Sequence, residues 1–440
     1  MSQLTRKSFL QGTAAVAGTL AVAPRLVPAN RAPAFNKGVK RTIQFWAFTN
    51  TRTAWQQKAW ALYQDRYKPD FDIDWVILPY QQMFDKLMIV SQAGSGGPDI
   101  ADVEISQFGR FTKGDVVYLD LTSRLQKRGA LPHLFRPAAT DPWSWQGKIY
   151  GIGNELNTCL LSYRWDILDK AGIKMPIATW GEFVDQAKKF HKDTGNVLLD
   201  FPFSDWGSWW MQTLQQGGGF FGSNGQITFN SPMGAKVLAF QQHALYGPDK
   251  WSILRPLGQA YDTALSAGTI ASLLGPSWNF SGFVGQTLPQ TAGKWHLQPF
   301  PRWTPGGSRT ATQGGTGVTV LKSSPLAAEA ADFVVWEHTT SEAVLFDYGI
   351  RQTWPTWRPA FTDPRLTAPI PFFGGQRVGK LIEQVSPELH KWYNSPFWSE
   401  ATDAFTRLAL TPAILNNAPV MTALQAAQRD ARDIISFETT

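Results

Sequence analysis

The residues of this chain that could do chemistry are aromatic rings, amides and carboxylates set where regular structure breaks. In Leu274-Gly-Pro-Ser-Trp-Asn-Phe280 a short apolar run, 270–274, halts at Gly275-Pro276 and a tryptophan follows at once. Gly and Pro end regular elements, so Trp278 is presented at the tip of a strand. Such a tip either packs into the core or lines a cleft as a flat apolar face with a polar N–H handle. Similar breaks occur earlier. The β-rich stretch 42–48 breaks at Thr49-Asn50-Thr51, 71–78 breaks at Pro79-Tyr80-Gln81, and 99–105 carries Glu104 near its end. Rings and polar tips together suit non-covalent capture of a ligand in a cleft.

The elements that must hold these tips follow a β-α-β-α-β order over 42–105. That order implies a mainly parallel sheet with helices on both faces, and ligands of such sheets sit outside the carboxyl ends of the strands. Trp46, Asn50, Tyr80, Gln81 and Glu104 then share one rim. A second α/β set follows. It has an apolar strand over 158–163, a helix opened by the capping box Thr179-Trp-Gly-Glu182, the Trp-rich segment 205–216, and a helix opened by Ser231-Pro232. The strand ending at Gly275 and a strand over 295–300 complete it. A Gly/Thr/Ser-rich stretch, 304–317, leads into a strand over 318–322, a helix to 337 and, after residue 358, a mostly helical end. At 440 residues two domains are the default. Trp55, Trp60, Trp165, Trp180 and Trp336 fall within helical patterns and are expected in the core. Cys159 is the single cysteine, so it forms no disulfide within the chain and is expected to be buried as a small apolar residue.

The formal net charge of +7 does not describe a phosphate-binding groove. Arg6, Lys7, Arg25, Arg31, Lys37, Lys40 and Arg41 carry all of it, and from Thr42 onward the chain is formally neutral. Nucleic acid is not an expected partner, because its binding requires a basic patch on the folded body. The basic start followed by a weakly apolar run, 12–23, reads as an export signal over 1–29, with a linker over 30–41. Thr-Arg-Lys at 5–7 resembles a twin-arginine pattern with Lys7 in place of the second arginine. No run approaches the ~20 apolar residues of a membrane span, and no cysteine near the start offers a lipid anchor. The protein is expected free in a periplasm or held outside the cell in another way.

The order of segments resembles the extracellular solute-binding proteins of bacterial ABC importers, in their sugar-binding, maltose-binding-protein-like branch. The resemblance runs from Thr42 to the end. It rests on 42–48, Gly97-Pro-Asp-Ile100, Gly147-Lys-Ile-Tyr-Gly-Ile-Gly153, Tyr163-Arg-Trp-Asp-Ile-Leu-Asp-Lys-Ala-Gly172 with Thr179-Trp-Gly-Glu-Phe183, and Ala267-Gly268 leading to Gly275-Pro-Ser-Trp278. It implies an α/β fold of two lobes, each a mainly parallel sheet flanked by helices, joined by a hinge of crossing strands. The crossings fall near 151–158, 314–319 and 351–357. The lobes are then 42–152 with 318–350, and 153–317 with 351–440. The implied ligand is a di- or oligosaccharide, the implied partners are membrane permease subunits, and the implied state is a monomer without metal or cofactor.

Sugar chemistry explains the residue types that the resemblance brings to the cleft. A pyranose offers an apolar C–H face to a ring and hydroxyl groups to bidentate planar groups. The candidate platforms are Trp46, Trp206, Trp209, Trp210, Trp278, Trp354 and Trp398. Residues three and four apart share a helical face, so within 206–210 one ring faces the cleft and another the core. Glu104, Glu155, Asn50, Tyr80, Gln81 and Asn154 are candidate hydroxyl partners. Arg351 serves the ligand or an ion pair between lobes, and Gly314-Gly315 either lets backbone amides approach the ligand or forms a plain hinge loop. Two rivals remain open. Glu104 and Glu155 could be the carboxyl pair of an exported glycosidase, and the ligand could be a polyamine, a peptide or an anion.

Overall fold

Ile43, Phe45 and Ala47 point one way from their strand and pack against Trp55, Ala59 and Trp60 of the helix that follows. The computed structural model describes residues 41–439; the export segment and all of the linker but Arg41 lie outside the described residues. Strand β1 (Arg41–Ala47) leads into α1 (Asn50–Tyr67), β2 (Phe71–Ile77) into α2 (Tyr80–Ala93), and β3 (Ile100–Glu104) follows. β1 pairs in parallel with β2 and with β3. Parallel neighbours need a crossover of a dozen or more residues, which α1 and α2 supply.

Beyond β3 the elements that matter for the site are β4 (Gly151–Gly153), β5 (Leu160–Arg164), α3 (Trp180–Thr194), α4 (Gly207–Leu214), α5 (Gln259–Ala267), β6 (Ser272–Gly275), β7 (Trp295–Gln298), β8 (Thr316–Val320), α6 (Ala327–His338), α7 (Ser341–Arg351) and α8 (Trp398–Phe405). The capping box at α3 is present as expected, with Thr179 and Glu182 bonded reciprocally. The first sheet has the order β2-β1-β3-β8-β4 and the second β6-β5-β7.

Pairing in the second sheet differs from the expected mainly parallel pattern. β5 is antiparallel to both β6 and β7, and among the described residues parallel contacts survive as single bridges, where Thr179 meets Arg302, Val197 meets Ile270 and Phe201 meets Leu254. The reason is where the strands meet the crossing. β5 starts beside it at Leu160, opposite Gly275, so it must run against the strands that end there. The same logic makes β8 antiparallel to β3 and β4 in the first sheet.

Three segments cross between the sheets and pair with one another. Residues 153–159 lie in the middle. On one side Gly153 registers with Gly317, Thr158 bridges Thr312, and the Cys159 amide donates to Ala311 O at 2.8 Å. On the other, Glu155 bridges Pro355, and the Leu156 amide donates to Trp354 O at 2.7 Å while that of Thr356 donates to Asn154 O at 3.0 Å. Cys159 is buried here, as expected.

Trp143 plugs this crossing. Its indole N–H donates to Val103 O at 2.8 Å, and its ring lies flat on the glycine-rich strands. A Cβ at Gly317 would come within 2.4 Å of the ring, and one at Gly153 within 2.6 Å. Glycine is required here for space. Gly317→Ala should therefore lower stability by about 1–3 kcal/mol, the cost of overpacking a dense core, read as a lower urea midpoint. Gly181→Ala, in α3 with only Thr179 Oγ1 near at 3.8 Å, should leave the midpoint unchanged or raise it.

Candidate functional site

A buried ion network pins the crossing to the first sheet. Glu155 Oε1 accepts from Arg52 Nη1 of α1 at 2.6 Å and from Arg351 Nη1 of α7 at 2.7 Å. Arg52 Nε also donates to Asp102 of β3 at 2.8 Å. Arg351 holds Asp347, whose other contact is the Asn154 amide at 2.7 Å. Burial alone would raise the Glu155 carboxyl, but Arg351 and then Arg52 outweigh it and hold it at about 2. This corrects the expectation for Asn154 and Glu155. Asn154, Glu155 and Arg351 are committed to structure at the crossing, because a buried charge needs partners more than the ligand does. Arg351 takes the ion-pair alternative.

The rim beside the crossing carries the exposed candidates. β6 ends at Gly275, and Trp278 opens a π-helical stretch, Trp278–Val284. Trp278 is 38% exposed, and its indole N–H donates to Gln313 O at 3.2 Å. Gly314 lies against it: φ is +69°, and a Cβ there would stand 3.0 Å from the Trp278 nitrogen. Gly314 O accepts from Asn157 Nδ2 at 3.1 Å, and the next carbonyl, Gly315 O, accepts from the Ile105 amide at 3.1 Å. The glycine pair thus links Trp278 to the end of β3. There Glu104 Oε2 accepts from the Ser106 amide at 2.9 Å and the Tyr80 hydroxyl at 3.3 Å. Burial raises the Glu104 carboxyl, against the pull of the Ser106 bonds, and burial beside Glu104 pushes the Tyr80 phenol up to about 12. Tyr80 meets Phe48 edge to face at 5.3 Å. Asn50 and Gln81 are exposed at the starts of α1 and α2, Gln81 bonding to Asp85 at 2.8 Å.

The other tryptophans resolve differently. Trp46, Trp209, Trp210, Trp354 and Trp398 are all buried to 2% exposure or less, so none offers a free face. Trp46 sits under α2 with Met83, Phe84 and Leu87. Trp209 packs on Phe405 at 4.3 Å and donates to Gly234 O. Trp210 donates to Thr312 O and meets Trp398 edge to face. Trp354 donates to Leu366 O and packs on Tyr348. Each is removed from the platform set, because its ring faces are spent on neighbours. Trp206 alone of its segment is half-buried, edge to face with Trp210 and Trp398. Of the expected core set, Trp55, Trp60, Trp180 and Trp336 are buried. Trp165 is 39% exposed, stacked on His296.

Sequence reasoning passed over Asn157, Gln313 and Trp143. Gln313 had one signal, its place directly before Gly314-Gly315. Asn157 and Trp143 had none, since their roles depend on partners 40 or more residues away or on the crossing itself. Among the described residues no cluster of three or more His, Cys, Asp or Glu could hold a metal, and no helix is long and apolar enough to cross a membrane.

Two lobes joined by paired crossings, with an open aromatic and polar rim beside them, define a binding protein built around an inter-lobe cleft. Residues 48–336 match the family of bacterial extracellular solute-binding proteins, and the chain belongs to that family. It is 28% identical over 412 residues to the arabinooligosaccharide-binding protein of Bacillus subtilis, covering 90% of this chain and 93% of that one. Among solved structures, the sugar-binding protein MalE of Xanthomonas citri shares the fold with a TM-score of 0.73 at 17% identity, over 90% of this chain and 98% of that one. An ABC transporter associated binding protein from B. animalis subsp. lactis, solved with β-1,6-galactobiose, gives 0.67 at 23% identity, over 90% and 98%.

Glu337 of α6 stands beside the ion network with both carboxylate oxygens buried and without a hydrogen-bond partner, the His338 Nδ1 lying 3.4 Å from Oε1. Burial pushes its carboxyl well above the ordinary 4.5, helped by Asp102 and opposed by Arg52. A raised folded value gives stability that is complete below about pH 4.5 and is lost as pH rises through that value. Glu337→Gln should thus gain stability over the native chain as pH increases above 4.5, by up to about 1.4 kcal/mol per pH unit. Urea unfolding across pH 4 to 9 measures the difference.

Proposed function

We propose that this chain is the exported carbohydrate-binding component of an ABC importer, which captures a di- or oligosaccharide between its lobes, closes by hinge motion and delivers it to membrane permease subunits. The observation that carries the reading is Trp278. It is the one exposed ring among the seven candidate platform tryptophans, anchored by its N–H and joined through Gly314-Gly315 to Glu104 and Tyr80 of the other lobe. A ring and a set of acceptors across a hinge suit the apolar face and hydroxyl rim of a sugar. Asn50, Tyr80, Gln81, Glu104, Trp206 and Gly314 with Gly315 belong to the same proposed contact surface. The sugars named for the relatives, arabino-oligosaccharides and β-1,6-galactobiose, are the first ligands to try.

The lobe boundaries, 42–152 with 318–350 and 153–317 with 351–440, are part of this proposal. The sheet membership of β8 and the pairing of all three crossings support them. Binding without hydrolysis is favoured because Glu155 accepts from two arginines and Glu104 is engaged by Ser106 and Tyr80, so these two carboxylates are not a free pair. A monomer that ignores nucleic acid fits the formally neutral body. Export to a periplasm or to the cell exterior fits the basic, apolar start.

Thermal unfolding with arabino-oligosaccharides and β-1,6-galactobiose tests the reading. Ligand at a hundred times its Kd should add ~2.7 kcal/mol of stability. Trp278→Ala should weaken binding tenfold or more while the ligand-free midpoint stays within a few degrees. Loss of folding in that variant would make Trp278 a core residue, and sugar cleavage products would make the protein an enzyme.

A further inference from the structure

Three successive carbonyls of the glycine-rich crossing are taken by three different parts of the molecule. Gln313 O accepts from the Trp278 indole at 3.2 Å, Gly314 O from Asn157 Nδ2 at 3.1 Å, and Gly315 O from the Ile105 amide at 3.1 Å. Trp278 follows β6 of the second sheet, Asn157 lies in the middle crossing, and Ile105 directly follows β3 of the first sheet. Asn157 contributes only its side-chain amide, and the residue is 1% exposed. The other end of that amide, Oδ1, accepts from Ser277 Oγ at 3.3 Å, a hydroxyl that also lies 3.1 Å from Leu156 O. Ser277 is fully buried and stands immediately before Trp278.

A closed circuit results. It runs from Asn157 to Gly314 O, back one residue to Gln313 O, across to the Trp278 indole, back one residue to Ser277, and returns to Asn157. Trp278 is held at two points, its indole by residue 313 and its backbone by way of residue 277, and both lead to one amide. There is little slack in the circuit. A Cβ at Gly314 would stand 3.0 Å from the Trp278 nitrogen, and one at Gly315 2.8 Å from Asn157 Nδ2. Asn157 Nδ2 also lies 3.5 Å from Glu155 Oε2, the carboxylate oxygen opposite the one to which Arg52 and Arg351 donate. One buried amide thus touches both the charged network and the rim. The residue type matches the place. A carboxamide donates at one end and accepts at the other. Aspartate would set a second carboxylate against Glu155 and Gly314 O, and alanine would leave Gly314 O without this partner.

From this circuit we infer that Asn157 is a positioning residue for ligand capture. It does not touch the ligand; it fixes the Trp278 ring in register with Glu104 and Tyr80 by tying Ser277 and the 313–315 strand to the crossing. The inference rests on the carbohydrate reading above and deepens it, because it says what keeps the ring and the acceptors at one spacing. A residue that only supports the fold weakens binding to the same extent whether or not residue 278 carries a ring. A residue that positions the ring matters only while the ring is there.

Calorimetric titration of a double-mutant cycle with arabino-oligosaccharides and β-1,6-galactobiose tests this. Asn157→Ala should weaken binding about fivefold, the affinity that one net hydrogen bond carries, and Ser277→Ala about threefold. In a chain already carrying Trp278→Ala, each of the two should change Kd by less than about twofold. Urea midpoints measured alongside establish that each variant is folded at the titration temperature. If Asn157→Ala does not fold, Ser277→Ala, which deletes a single hydroxyl, decides by the same comparison. Equal losses with and without the Trp278 ring, or no loss in either variant, overturn the positioning role and leave the carbohydrate reading standing. No binding of any of these sugars by the native chain overturns both.

Discussion

Glu155 sits inside the crossing between the lobes with two arginines donating to its Oε1. Taking a carboxylate out of water costs several kcal/mol unless it is paired and hydrogen-bonded, so Arg52 and Arg351 must come to it. Arg52 brings α1 and, through Asp102, β3; Arg351 brings α7 and Asp347, and with Asp347 the neighbouring Asn154. One charge thus ties two helices and a central strand to the middle crossing segment. Removing either arginine would leave a buried charge uncompensated, a loss of about 3–5 kcal/mol.

The network also shapes where the molecule can bend. The first lobe grips residues 154 and 155, and Trp143 fills the space over the glycines at 153 and 317. Just beyond lie Gly314 and Gly315, whose φ values are +69° and +129°, and Gln352, left-handed at the end of α7. Those positions adjoin the rim. In the proposed function a sugar on Trp278 would rest beside these residues, away from the charged side of the crossing.

Much of the fold could be read in the chain. The β-α-β-α-β order, the capping box at Thr179 and the neutral body after Thr42 depend on local patterns that keep their meaning in three dimensions, whereas the three crossings were implied only by the family resemblance. The direction of pairing in the second sheet could not be read, because it depends on which end of β5 meets the crossing. The exposure of Trp278 was legible, because Gly275-Pro276 ends the strand just before it. It was not legible at the other tryptophans. Trp209, Trp210, Trp354 and Trp398 have the same apolar face and N–H as Trp278, and only tertiary neighbours decide whether that face is spent. Glu155 misled for a related reason: a carboxylate that bonds hydroxyls and one that bonds guanidinium groups look identical until Arg52 and Arg351, more than a hundred residues to either side, are placed beside it.

The central claim is that sugar closes the two lobes about this crossing. Dyes on Lys58→Cys in α1 and Lys192→Cys in α3, both exposed positions in different lobes, would report it by energy transfer, with buried Cys159 left unlabelled. Titration with the bound oligosaccharide should shift the transfer efficiency along a saturating curve, with the same Kd that calorimetry gives. Saturable binding with no change in transfer at any sugar concentration would contradict the account.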